Sequence, residues 1–187
     1  MKNFRIFVTG PSGSGKTFCA NILSDIMDIS SYTLDEILYP RQTPFNPKTH
    51  VARKLPDTEF IEKLDNLLKH TNWIVDGVIR DNMSPVLDLA THIVVMKTPR
   101  YVCASRAFHR AISRTIYNYT ECNFLHVGWL WPGKNFVARR VWRAYPKHQA
   151  RIDSFIKETS LPVSYVSYEN FYPDIIELLS QYGFSHI

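Results

Sequence analysis

The segment Gly10-Pro11-Ser12-Gly13-Ser14-Gly15-Lys16-Thr17 constrains this chain more than any other feature. It fits G-x-x-x-x-G-K-[ST] at every position. Its glycines let the backbone curl so that several N–H groups point inward, which is what holding phosphate oxygens requires. Residues 4–9 (FRIFVT) before it are branched and aromatic and read as a buried parallel strand. Residues 16–28 after it carry Phe18, Ile22 and Ile26, with Ala20, Leu23 and Met27 on an adjoining face, at helical spacing. A helix starting at Lys16 aims its positive end at the loop. The eight residues are therefore expected to hold a nucleoside triphosphate, ATP with Mg²⁺. Lys16 falls on the β- and γ-phosphates and the Thr17 hydroxyl on the metal. A chance Gly/Ser turn is the alternative, and the strand before and helix after argue against it.

The same punctuation runs through the rest of the chain. Residues 31–34 read as a second strand ending at Asp35, and 73–76 (WIVD) as a third. Residues 92–96 (HIVVM) read as a fourth strand and 162–166 as a fifth. Residues 39–56 contain Pro40, Pro44, Pro47 and Pro56 and are expected to be a loop or broken helix. Residues 57–70 are amphipathic, with Phe60, Ile61, Leu64, Leu67 and Leu68 on one face and Asp57 as the cap. Ser84-Pro85 opens a short helix. Residues 100 to about 117 and 135 to about 157 read as two long basic helices, with a Gly/Pro/Trp-bearing stretch, 118–134, between them. A final helix covers 173–182. Strands alternating with helices predict an α/β fold, a five-stranded parallel sheet with helices on both faces. One domain spans 1–187, with a lid inserted at about 115–137. Such folds bind ligands beyond the carboxyl ends of the strands. Gly10, Asp35, Asp76 and the Thr98-Pro99-Arg100 turn all fall there.

Two acids stand at those ends. Asp76 closes an apolar strand and precedes Gly77, where a carboxylate can hold the metal's water shell or orient an acceptor; a turn aspartate is the plainer reading. Asp35 can take a proton from an acceptor hydroxyl as general base, or simply cap the helix that Asp35-Glu36-Ile37-Leu38 would begin. Only one of the two needs to be the base. Arg80, four residues past Asp76, is a candidate contact to acceptor or phosphate.

The charge is unevenly spread. Residues 97–151 hold eleven Lys or Arg against one acid, Glu121, a local net charge of +10; the remainder holds eleven against sixteen, or −5. The partner of such a segment is anionic: triphosphate, a phosphorylated acceptor, or nucleic acid. A solvated basic helix is the bland alternative, although such helices usually mix both signs. Arg106, Arg110 and Arg114 recur every four residues and line one face. Arg106 and Arg110 are expected at the triphosphate or the transition state. Arg139, Arg140 and Arg143 open the return helix and either close over the site or stay solvated. Aromatics are dense here: Tyr117, Tyr119, Phe124, Trp129, Trp131, Phe136, Trp142 and Tyr145. Most are expected to form a lid core, with Trp129 and Trp131 as candidates for base stacking. Cys122 and His126 are too few for a zinc site, which needs about four ligands. Three cysteines without paired spacing, no recognisable export signal and no apolar run of about 20 residues suggest a cytoplasmic protein without a membrane span.

The phosphate loop, the Leu34-Asp35 step, Trp73-Ile74-Val75-Asp76-Gly77 and Thr98-Pro99-Arg100 resemble the adenylate-kinase-like small P-loop kinases. Val141-Trp142-Arg143-Ala144-Tyr145-Pro146-Lys147 is similar to the "DNA topology modulation" subgroup. The resemblance implies a mobile lid, ATP with Mg²⁺, Lys16 and Thr17 at phosphate and metal, and lid arginines such as Arg106 and Arg110. The four-cysteine lid of some adenylate kinases is missing. Virus-encoded kinases that phosphorylate hydroxymethylated bases in DNA belong to the same broad class. The basic, aromatic lid makes a hydroxymethylated pyrimidine in DNA the leading acceptor. A nucleoside monophosphate or small-metabolite acceptor is the alternative, and a DNA-associated ATPase a third. The sequence leaves the oligomeric state open.

Overall fold

The computed structural model describes residues 3–39, 55–80, 84–122 and 137–184. These residues form, in order, the elements β1 (Arg5–Thr9), α1 (Lys16–Met27), β2 (Ser31–Thr33), α2 (Leu34–Leu38), α3 (Asp57–Leu68), β3 (Trp73–Gly77), α4 (Ser84–Leu89), β4 (His92–Lys97), α5 (Arg100–Cys122), α6 (Val137–Glu158), β5 (Val163–Ser167) and α7 (Phe171–Gln181). The strands form one parallel sheet in the order β2-β3-β1-β4-β5. The chain divides into two compact units. One comprises Met1–Thr9, Lys16–Val95 and Ser160–Ser164, the other Gly10–Gly15, Met96–Thr159 and Tyr165–Ile187.

In the first unit, β1 is flanked by β3 and β4, with Arg5 opposite Trp73, Thr9 opposite Gly77 and Val95. The strands are apolar because both faces are covered: Ile6, Phe7, Val8, Trp73, Ile74, Val75, Ile93 and Val94 are fully buried. From β1 the chain moves through α1 to β2, then returns through α2 and α3 to β3 and past β1 to β4. These connections run in opposite directions, so right-handed crossover sets α1 on the face opposite α3 and α4. Leu23 of α1 and Phe60 and Leu64 of α3 complete this core. Val8, Asp76 and Thr33 stand level on three adjacent strands.

In the second unit, Cys103, Ile152, Val166, Ile175, Leu178 and Leu179 form the core. The Tyr168 N–H donates to the Lys97 carbonyl at 2.9 Å, carrying the β4–β5 ladder past the strand ends.

Several expected boundaries shift. Asp57 is the first residue of α3 rather than its cap; Pro56 holds that position and no side chain caps the helix. The second strand stops at Thr33, so Asp35 lies inside α2. α5 runs on to Cys122, five residues further than Tyr117, because nothing between Asn118 and Cys122 breaks it. Pro40, Pro44, Pro47, His126, Phe124, Trp129, Trp131 and Phe136 lie outside the described residues, and with them most of the expected lid. Among the described residues no helix is long and apolar enough to cross a membrane.

Candidate active site

The first six residues of the phosphate loop make a tight turn in which the Ser14 N–H donates to the Pro11 carbonyl at 3.1 Å. Gly13 (φ +85°) and Gly15 (φ +99°) take conformations that cost L-residues energy. At Gly13 the space is also closed: a Cβ would come within 2.5 Å of the Cys103 carbonyl oxygen at the start of α5. The loop is thus seated against the first turn of a helix, and only glycine fits that seat.

Side chains of the second unit grip the loop at one backbone atom. The Ser14 carbonyl oxygen accepts from the Thr98 hydroxyl at 2.9 Å and from Arg106 Nη1 at 3.1 Å. Thr98 is in turn held through its own carbonyl, which accepts from the Tyr145 hydroxyl at 2.8 Å. The Arg106 guanidinium lies over the Tyr168 ring, 5.1 Å from its centre. Ser14 Oγ is buried without a hydrogen-bond partner among the described residues.

Lys16 and Thr17 open α1 in the first unit, and the acid beside them is Asp76. It is 2% exposed. Thr17 and Thr33 hydroxyls hydrogen-bond its carboxylate and Lys16 acts on it electrostatically. Its Oδ2 has no hydrogen-bond partner among the described residues. Burial raises the Asp76 pKa above the ordinary carboxylate value; the two hydrogen bonds and Lys16 oppose that rise, and Asp35 adds to it. Neighbouring Cys19 feels the same environment: burial, then the Asp76 charge, push its thiol up to about 12. A buried carboxylate with an unsatisfied oxygen beside a threonine hydroxyl is a hard-oxygen donor set, which suits Mg²⁺.

Asp35, the second residue of α2, accepts from Arg80 Nη2 at 2.7 Å, and both side chains reach solvent. On the same short helix, Glu36 and Ile37 line a recess of about 430 Å³ with Thr17, Asn21, Ser31, Tyr32 and Thr33. No cation lines it.

The first unit therefore gathers Lys16, Thr17, Asp35, Asp76 and Arg80. The second gathers Gly10, Pro11, Ser12, Gly13, Ser14, Gly15 and Arg106. Arg110 lies one turn beyond Arg106 on α5, exposed, and the Arg114 side chain lies outside the described residues. Thr33, Tyr145 and Tyr168 were not singled out by sequence reasoning as site residues. Thr33 is found only through strand register, and the tyrosines only through contacts distant in sequence. Thr98 carried a weak signal as part of the turn after β4.

The fold is shared with small P-loop kinases. A shikimate kinase from Bacteroides thetaiotaomicron superposes with a TM-score of 0.52 at 14% identity, over 96% of this chain and 98% of that one. A gluconokinase from Sinorhizobium meliloti 1021 gives 0.52 at 14% identity, over 98% of each chain. A sugar kinase from Janibacter gives 0.54 at 13% identity, over 98% of this chain and 96% of that one. No curated protein matches the sequence. A family model described as "AAA domain" matches residues 6–126, from β1 through the phosphate loop and beyond α5. With well over half of its length matched, the chain belongs to that AAA domain family.

Proposed function

We propose that this protein is a kinase that transfers the γ-phosphoryl group of ATP to a hydroxyl group of a small metabolite. The observation that carries the reading is Asp76, a buried carboxylate with one oxygen unsatisfied, beside the threonine that ends the phosphate loop. Burying such a group is costly unless a cation completes it. Thr17 and Asp76 are the residues to hold Mg²⁺, directly or through its water. The ion supplies charge neutralisation on the phosphate oxygens.

The chain's own groups divide the remaining work. The loop amides and Lys16 hold the phosphates in place. Arg106, with Arg110 behind it, is assigned to the charge on the transferring group. Asp76 is committed to the Thr17 and Thr33 hydroxyls, which leaves Asp35 as the general base, oriented by Arg80. The acceptor's proton passes to Asp35 as its oxygen bonds to phosphorus and the bond to ADP breaks.

Two observations favour a small acceptor. The recess beside Thr17 has the size of a small-molecule site and a polar, largely neutral lining. The structural neighbours are named for shikimate, gluconate and sugar substrates. The second reading, a hydroxymethylated pyrimidine in DNA, draws on the +10 segment and its aromatics. Radiolabelled ATP tested against hydroxy acids, sugars, nucleotides, plain DNA and hydroxymethylated DNA separates them. Label is expected on a small hydroxylated compound. Label confined to hydroxymethylated DNA transfers the assignment to the second reading, and hydrolysis with no acceptor labelled leaves an ATPase. Lys16→Ala is expected to cost about 3–4 kcal/mol of transition-state stabilisation with the fold intact; wild-type turnover in that variant refutes the site.

A further inference from the structure

The exposed face of α6 has no part in the chemistry above. It carries Arg139, Arg140, Arg143 and Lys147, all exposed. Arg139, Arg143 and Lys147 follow one another at four-residue steps, about 6 Å apart along the helix axis, and so form one row. Two features make this row unfavourable for the helix that bears it. Like charges at that spacing repel. Arg139 also lies in the first turn, where the helix dipole disfavours cations and where this helix has no acid. Relief from nearby sequence is missing, because no Asp or Glu occurs between Glu121 and Asp153. Asp153, the first acid on α6, accepts from Gln149 Nε2 at 2.9 Å.

The helix is nevertheless firmly anchored on its inner side. Arg100 Nε donates to the Trp142 carbonyl at 2.8 Å, and its guanidinium stacks 4.1 Å from the Trp142 ring centre. Tyr145 donates to Thr98. These contacts hold the row as a fixed surface. Trp142, in the midst of the cations, stays 43% exposed.

We propose that this face of α6 binds single-stranded nucleic acid, with Arg139, Arg143 and Lys147 on successive phosphates and Trp142 stacking on a base. The row's step approximates the distance between neighbouring phosphates of an extended strand. An exposed tryptophan among cations adds a ring on which a base can stack, a contact that polyphosphate has no group to make. Unlike the kinase assignment, this surface needs no particular acceptor, and its test reads binding alone.

The test is fluorescence anisotropy of the full chain with a labelled DNA strand of about 20 nucleotides, at a series of salt concentrations. Binding is expected to weaken steeply with salt. The triple variant R139E/R143E/K147E is expected to lose at least about tenfold in affinity, and single Arg→Gln changes to lower the logarithmic salt slope by about 0.7 each. W142A is expected to weaken DNA binding without changing the salt slope. K63E/K69E, on α3 and at its C-cap, serves as the control and should bind as the wild type does. Circular dichroism melts report whether each variant is folded; if the triple variant is not, the single Arg→Gln slopes decide. No binding by the wild type at about 50 mM salt overturns the proposal. So does equal binding by R139E/R143E/K147E, an unchanged slope in the single variants, or binding to phosphatidylserine vesicles without binding to the oligonucleotide.

Discussion

The Thr98 hydroxyl donates to the Ser14 carbonyl oxygen at 2.9 Å, tying the turn after β4 to the middle of the phosphate loop. Thr98 is 2% exposed, so water does not replace the bond if it is lost. Thr98→Val keeps the shape and removes the donor, leaving Arg106 Nη1 to donate to that oxygen. The expected cost is about 1–2 kcal/mol, read as a rise of roughly fivefold to thirtyfold in KM for ATP. Thr98→Ser should restore most of it. Unchanged nucleotide affinity in Thr98→Val would show that the loop keeps its shape without this tie.

Gly13 and Gly183 have nearly the same backbone angle, φ +85° and +89°, but different surroundings. A Cβ on Gly13 meets backbone atoms of Cys103; one on Gly183 meets nothing within 4 Å. Gly183→Ala should therefore cost only the conformational term, about 1 kcal/mol of stability. Gly13→Ala must also push the loop away from α5. It should reduce ATP affinity more than tenfold, the equivalent of about 1.4 kcal/mol. Equal effects of the two changes in nucleotide titrations would remove the steric argument.

Asp76 gives a pH signature with a definite sign. Its folded pKa is raised, so the fold favours its protonated form. That contribution is fully present below the unfolded carboxylate value of about 3.9 and is lost as pH rises through the folded value. Asp76→Asn, which stays neutral, should melt higher than the wild type at neutral pH in the absence of nucleotide and metal. The difference should shrink towards pH 4. The same variant should lose roughly tenfold to hundredfold in Mg²⁺-dependent activity. Thermal melts in which the variant is less stable at every pH would show that the carboxylate is not strained by burial.

How far these features were legible in the sequence follows from the range of the interactions that make them. The five strands and the phosphate loop were readable because their signals are local: an apolar run, a glycine pattern, a helical repeat. Asp76 was noticed because a charge at the end of WIVD is locally anomalous. Its bonds to Thr17 and Thr33 were not visible, since they depend on the register that sets Thr33 opposite Asp76. The grip of Tyr145 on Thr98 joins residues 47 positions apart, and no periodicity announces it. Asp57 and Asp35 were misplaced by one local rule each. An acid before an apolar repeat suggests a cap, yet Pro56 took that position in α3. The second strand ended early because its partner β3 pairs only as far as Thr33.

The Asp35–Arg80 pair distinguishes a structural ion pair from a catalytic one, because the two roles differ in what they cost. The pair is short, 2.7 Å, but its side chains are 60% and 36% exposed. Exposed pairs contribute at most about 1 kcal/mol to stability. Asp35→Asn and Arg80→Ala should therefore leave the melting temperature nearly unchanged. In the proposed role of general base, Asp35 has much more to lose: kcat should fall by about 10²–10⁴ in Asp35→Asn while KM for ATP stays constant. Arg80→Ala removes the group that orients that carboxylate. It should lower kcat by less, with Arg80→Lys recovering the charge but not the fork. In the double variant the losses should not add, because Arg80 acts through Asp35. Additive losses, or an Asp35→Asn enzyme with wild-type kcat, would return the pair to the surface and leave Asp76 as the base.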